Sequence, residues 1–176
     1  QYMPVVFDKV YGDKNQIQLV CPLPGDEVAL VGKEGQKYNL TWVEREGGVI
    51  FSLPLTGFTA VNEIVELDNS RVLVVGQSSV PNVKGKKDKI TLCGRIVVIN
   101  RGGRIVSDIY AGDQGSNFLK GMLLRSGAFV VSGSEPKGAD GRQGILLKLD
   151  PTGSVVYQYK NAGGGYCDQF AVMGNS

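Results

Sequence analysis

The chain has 176 residues, 20% of them charged, with 25 glycines, a formal net charge of +2 and no histidine. These values fit one globular domain and exclude a disordered polyelectrolyte, and glycines without an every-third spacing exclude a collagen helix. The absence of histidine excludes His-containing catalytic triads and the usual zinc ligand, while the small net charge argues against a dedicated nucleic-acid-binding protein. No apolar run is long enough to serve as a transmembrane segment.

The chain begins at Gln1 rather than Met, from which we expect a processed mature protein or an excised part of a longer one. A removed signal peptide would account for this start, so we expect an exported protein in the periplasm, on the outer-membrane surface or outside the cell. Residues 5–11 have the composition of a strand, and we expect residues 1–13 to contain the outer strand of a partial unit.

Short β-rich runs bounded by Gly, Pro, Asn and Asp recur along the chain and predict an all-β fold. One pattern occurs in three copies, at residues 17–32, 61–76 and 118–133, which align without a gap. Each copy has an apolar strand, a tight turn and a return strand that is expected to end in a glycine. These glycines are Gly32, Gly76 and Gly133.

A second pattern follows each copy of the first, at residues 40–51, 95–106 and 145–156. In this alignment Trp42 corresponds to Val97 and Leu147, which are packing positions, so Trp42 is expected in the core. The pattern contains a shared turn glycine before its last strand, assigned to Gly48, Gly103 and Gly153. Each unit is therefore two hairpins, or four antiparallel strands, and the units are assigned to residues 14–58, 59–113 and 114–164.

Residues 145–157 read Ile-Leu-Leu-Lys-Leu-Asp-Pro-Thr-Gly-Ser-Val-Val-Tyr, and residues 94–106 are a weaker copy. This segment resembles the strand, Leu-Asp-x-x-Gly turn and strand of quinoprotein-like and related bacterial envelope β-propeller repeats. The resemblance implies a propeller segment of about three four-stranded blades. It carries no catalytic residue with it.

Residues 165–176 are expected to be the first strand of a further blade, because Cys167, Phe170 and Met173 repeat its apolar spacing. A propeller ring usually has at least about four blades, so three cannot close one. We therefore expect an incomplete propeller that the rest of a longer chain would complete. The alternative is a complete chain, in which the strand from Val5 to Tyr11 and the strand from Cys167 share a fourth, two-stranded blade.

The first strand of a propeller blade lines the central channel, so polar side chains on these strands are candidate ligand residues. Glu63, Lys120 and Gln169 occupy equivalent positions in three units and would encircle one level of the channel. A hydrated structural channel with mutual salt bridges is the alternative interpretation. The full set of channel candidates is Gln18, Glu63, Lys120, Asp168 and Gln169.

Three surface segments are candidates for contact with a partner, and one of them is the loop from Lys137 to Arg142. Tyr157 and Tyr159 alternate onto one face of an outer strand and could form an exposed contact surface. A basic stretch is the third candidate, although a solvated loop is the alternative interpretation because no aromatic side chain interrupts it. Its residues are Lys84, Lys86, Lys87 and Lys89.

Three widely spaced cysteines match neither a disulfide framework nor a metal site. Cys21 and Cys93, with Trp42 between them, leave open an immunoglobulin-like sandwich closed by a disulfide, although Thr91 stands where the corner tyrosine of that fold should be. No calcium-binding or phosphate-binding loop motif is present, and we expect no metal and no cofactor.

The sequence therefore favours a non-enzymatic scaffold for protein–protein interaction. Two alternatives stay open. One is carbohydrate recognition by a propeller, which would depend on Tyr157 or Glu63. The other is a hydrolase or lyase that uses carboxylates such as Glu63 or Asp168.

Overall fold

A computed structural model describes residues 16–68, 70–80, 91–139 and 141–161. These residues form β-strands and one short 3-10 turn, Pro24–Asp26, which confirms the predicted all-β class. They contain no helix that is long and apolar enough to cross a membrane.

The strands form three four-stranded antiparallel sheets. The first sheet contains β1 (Gln16–Leu23), β2 (Glu27–Glu34), β3 (Lys37–Val43) and β4 (Val49–Pro54). The second contains β5 (Phe58–Asp68), β6 (Arg71–Ser79), β7 (Leu92–Asn100) and β8 (Ile105–Ala111). The third contains β9 (Asn117–Leu123), β10 (Phe129–Lys137), β11 (Gly141–Leu149) and β12 (Val155–Asn161).

Within each sheet the strands are neighbours in chain order, so each sheet is a simple meander. The prediction of four antiparallel strands per unit is confirmed for all three sheets. Across the described ranges the sheets stay separate and form neither a barrel nor a closed ring.

The second sheet is buried on both of its faces. We call the face of the first sheet that packs on the second its front, and the opposite face its back. Front residues of the first sheet pack on back residues of the second; the main ones are Ala29, Val31, Leu40 and Trp42 against Val72, Val74, Val97 and Ile99. Front residues of the second sheet pack in turn on the back of the third; the main ones are Leu73, Val75, Ile96 and Val98 against Phe129, Val131, Leu147 and Leu149.

The pairing registers show that the same positions form both interfaces. Cys21 pairs with Ala29 in the first sheet, Val65 with Leu73 in the second, and Met122 with Val130 in the third. Since side chains alternate along a strand, these pairs define the front face in every sheet. The sheets therefore stack front to back, with one interface used twice.

The return strands continue through Gly32, Gly76 and Gly133, so the predicted strand ends at these glycines are wrong. Each glycine lies opposite a bulge in the first strand of its sheet, where the pairing skips one residue. A Cβ at Gly76 would overlap the carbonyl oxygen of Ala60, and one at Gly133 would overlap that of Asn117. Glycine is needed at Gly76 and Gly133 because two backbones approach closely, not because a strand ends.

The glycine assigned to the β3–β4 turn is wrong by one residue. Gly47, not Gly48, has the positive φ of 83° that matches Gly103 (77°) and Gly153 (92°). The amide of Gly47 also donates to the carbonyl of Glu44, just as that of Gly103 donates to Asn100. Only glycine adopts such a φ without strain, so the turn geometry decides the alignment.

This one-residue shift changes which residues of the other two sheets are equivalent to Trp42. Trp42 pairs with Ala29, and the equivalent pairs are Val98 with Leu73 and Lys148 with Val130. Trp42 therefore corresponds to Val98 and Lys148 rather than to Val97 and Leu147. Its side chain is fully buried between the first two sheets, which confirms its predicted place in the core.

The immunoglobulin-like alternative is wrong. Cys21 and Cys93 are both free thiols, so no disulfide joins the sheets through them. Each sheet is also a meander, whereas the immunoglobulin sandwich uses Greek-key connections.

Candidate functional site

The first strands of neighbouring sheets contact each other, β1 with β5 and β5 with β9. This brings two predicted channel residues together: Glu63 Oε1 lies 3.4 Å from Lys120 Nζ. The other oxygen, Oε2, accepts a 2.6 Å hydrogen bond from the amide of Gly121. Both carboxylate oxygens of Glu63 are therefore occupied by groups of the next strand.

The bulge residue of β5, Asn62, makes a second contact of the same kind, which the sequence analysis missed. Its Nδ2 donates to the carbonyl oxygen of Phe118 at 2.6 Å and to Oδ1 of Asn117 at 2.7 Å. Asn62 and Glu63 thus satisfy backbone groups along the edge of β9. The sequence contained a signal for Asn62 as a polar residue of this strand, because Asn62 aligns with the channel candidate Gln18. Gln18 lies exposed at the equivalent bulge of β1.

The remaining two channel candidates, Asp168 and Gln169, lie outside the described residues. The same is true of the basic stretch formed by Lys84, Lys86, Lys87 and Lys89.

Arg95 holds the connection between the first two sheets. Its Nε and Nη2 donate to the two carboxylate oxygens of Asp108 at 2.9 and 2.8 Å, and its Nη1 donates to the carbonyl oxygen of Thr56 at 2.6 Å. The guanidinium also lies over the rings of Phe58 and Tyr110, 4.7 and 5.1 Å from their centroids. The hydrogen bonds to Asp108 raise the pKa of Arg95, so this cation stays charged.

Glu135 is fully buried and holds the connection between the second and third sheets. Its Oε1 lies 2.7 Å from Lys160 Nζ and accepts a 2.7 Å hydrogen bond from Gln143. Its Oε2 accepts from the amide of Asp113 at 3.1 Å, and Lys160 also reaches the Asp113 carboxylate at 3.2 Å. The hydrogen bond to Glu135 raises the pKa of Lys160, so this ammonium group stays charged.

A pocket of about 370 Å³ lies beside the connection between the first two sheets. Apolar side chains of Tyr38, Leu55 and Phe58 form much of its wall, and Lys37 is the one charged side chain among the described residues that line it. None of the described residues that line the pocket is a carboxylate.

Tyr157 and Tyr159 lie on the front face of the third sheet, where they are 49% and 62% exposed. Tyr157 pairs with Lys148, whose Nζ lies 5.8 Å from the centre of the tyrosine ring, and Tyr159 pairs with Leu146. In the first sheet the equivalent residues are Phe51 and Leu53, which are partly buried and pack against the core between the first two sheets. The two tyrosines therefore occupy positions that the fold uses elsewhere for packing one sheet on another.

Within the described ranges, no three Cys, Asp or Glu side chains are grouped so as to hold a metal ion. A comparison of the sequence with protein-family models and with curated proteins finds no match in either.

Proposed function

We propose that this chain is a non-enzymatic scaffold of the β-propeller type, which binds a protein partner through the front face of its third sheet. The observation that carries the proposal is the exposure of Tyr157 and Tyr159 at positions whose equivalents in the first sheet are partly buried and pack against the core. We place the scaffold outside the cytoplasm, in the cell envelope or beyond it, on the resemblance of its turns to bacterial envelope propeller repeats.

The stacking of the sheets supports the propeller part of the proposal. Successive blades of a propeller are four-stranded meanders that pack face to face, and their first strands lie next to one another around the axis. The three sheets here share that order, the same interface recurs, and β1, β5 and β9 are neighbours. A two-sheet sandwich would use its interface once and leave no sheet buried on both faces.

The composition of β12 supports the binding part. This outer strand exposes four large side chains, which are Val155, Val156, Tyr157 and Tyr159. Tyrosines present a large apolar body with a polar tip and are enriched at protein interfaces. An exposed apolar strand at the edge of a sheet is also an unusual feature unless another chain covers it.

The state of the buried and half-buried carboxylates supports a non-enzymatic role. Glu63 is paired with Lys120 and the Gly121 amide, and Glu135 is paired with Lys160 and Gln143. A carboxylate with its acceptor sites filled by structural partners is poorly placed to accept a substrate proton.

A photo-crosslinking amino acid at position 159 of the full chain, expressed in its own cells, tests the proposal. The control places the same amino acid at Val106, which is 46% exposed on the outer strand β8. We expect a discrete crosslinked protein from position 159 and none from position 106. No product from position 159, or equal products from both positions, would overturn the proposal.

A further inference from the structure

We propose that the partner on this surface is a second copy of this chain, which lays the back face of its first sheet on the front face of the third sheet. This inference rests on the proposed function and identifies the partner at the same site. It follows from an interface that the chain already builds twice within itself.

The first step concerns the front face of the third sheet. Its residues occupy the positions whose equivalents in the first sheet, such as Ala29, Leu40 and Phe51, pack on the sheet that follows. The pairing registers assign those positions in the third sheet to Val130, Leu146 and Tyr157. This face therefore has the layout of a surface that receives the back of another sheet.

The second step concerns the back face of the first sheet. Ile17 and Val20 on β1 are 55% and 57% exposed. Their equivalents on β5 are Val61 and Ile64, which are each only 8% exposed because they pack on the first sheet. The first sheet thus exposes side chains whose equivalents in the second sheet form the internal interface.

The third step concerns polarity. The front of the third sheet and the back of the first sheet are more polar than the sheet faces that pack on each other inside the chain. Ser132 and Lys148 stand on the front of the third sheet where the second sheet has Val75 and Val98. On the back of the first sheet, Thr41 stands where the second sheet has Val97. Interfaces between separately folded partners are more polar than domain cores, so this difference fits a contact between chains.

A front-to-back contact is head to tail, because each copy contributes a different surface. A substitution on either surface alone therefore blocks self-association of the variant. A mixture of two variants, each with the opposite surface intact, still forms one contact. This behaviour separates a front-to-back contact from a contact in which two copies use the same surface.

The test uses Val20→Glu on the back of the first sheet and Tyr159→Glu on the front of the third, with Val106→Glu on β8 as the control. Sedimentation over a range of concentrations should show that the unmodified chain associates. Each test variant alone should associate at least about tenfold more weakly, because a carboxylate would be buried in the contact. An equal mixture of Val20→Glu and Tyr159→Glu should form a one-to-one dimer, and Val106→Glu should behave as the unmodified chain.

Several results would overturn the inference. These are a chain that is monomeric at every concentration, a Val20→Glu variant that still associates, or a mixture that forms no dimer. The crosslinker at position 159 distinguishes a failure of this inference from a failure of the proposed function. A product joined to residues near position 20 of a second copy supports both, a product with a different protein supports only the proposed function, and no product contradicts both.

Discussion

The indole Nε1 of Trp42 donates a 2.7 Å hydrogen bond to Oε2 of Glu27, at the rim of the core between the first two sheets. The same carboxylate pairs with Arg101 from the second sheet, at 2.6 Å between Oε1 and Nη2. Glu27 therefore links a buried aromatic ring of one sheet to a turn of the next. Because Trp42 is the chain's single tryptophan, its fluorescence reports on this junction.

Acid should weaken this junction. The hydrogen bond from Arg101 holds the pKa of Glu27 in the folded chain below its ordinary value of 4.5. At a pH between the folded and the unfolded pKa, the unfolded chain therefore binds more protons at this position. The contribution to stability is complete above about pH 4.5 and is lost as the pH falls through the lower folded pKa. We expect Glu27→Gln to flatten the pH dependence of the unfolding free energy below pH 4.5. Urea unfolding monitored by Trp42 fluorescence at several pH values measures this dependence.

Glu46→Gln, at an exposed position of the β3–β4 turn, is the matched control and should leave that pH dependence unchanged. An identical acid profile for Glu27→Gln and the unmodified chain would show that the junction does not contribute.

Removal of the Arg95 side chain should destabilise the chain strongly. Arg95→Ala leaves Asp108 and the Thr56 carbonyl without their donor and removes the cation between two aromatic rings. We expect a loss of about 3 kcal/mol in the free energy of unfolding, measured in urea. Arg104→Ala, at an exposed position of the same sheet, should cost no more than about 0.5 kcal/mol, and similar losses for the two variants would contradict the assigned role.

The back of the third sheet should not tolerate an extra methyl group at Gly121. A Cβ there would lie 2.7 Å from Cδ2 of Leu73, which is fully buried on the front of the second sheet. We expect Gly121→Ala to cost about 1–3 kcal/mol. Leu73→Val should recover part of this loss, so a double-mutant cycle should give a coupling energy above about 0.5 kcal/mol, and strict additivity would argue against the contact.

The two adjacent glycines of the β3–β4 turn should respond differently to substitution. Gly47→Ala forces a side chain into a φ of 83° and should cost about 1 kcal/mol. Gly48→Ala meets only the flexible side chain of Glu44 and should cost less than about 0.5 kcal/mol. Thermal or urea unfolding of both variants makes the comparison, and the reverse order would restore the alignment predicted from the sequence.

Glu63 should stabilise the edge of β9 mainly through its hydrogen bond to the backbone. Glu63→Ala leaves the Gly121 amide without that acceptor and should cost about 1–2 kcal/mol. Glu63→Gln keeps a carbonyl oxygen at the same place and should cost less. Lys120→Ala removes only a half-exposed ion pair and should cost under about 0.5 kcal/mol, so a larger effect for Lys120 than for Glu63 would contradict this order.

The sequence by itself determined the strand content, the four-strand unit and its three copies. These follow from local chemistry, because alternation of apolar residues and turn-forming residues act within a few positions of the chain. The equivalence of Glu63 and Lys120 was also visible as a shared position in aligned units. Their contact follows from that equivalence once β5 and β9 lie side by side.

Only the tertiary structure decided the role of each glycine and the partners of the polar side chains. Whether Gly76 ends a strand or faces a bulge depends on the backbone of β5, and the choice between Gly47 and Gly48 depends on a single φ angle. Arg95 occupies a position that aligns with Ile145 of the third sheet, and its partner Thr56 lies in another part of the chain. Such contacts join residues far apart in sequence, so their geometry comes from the packing of whole sheets rather than from local patterns.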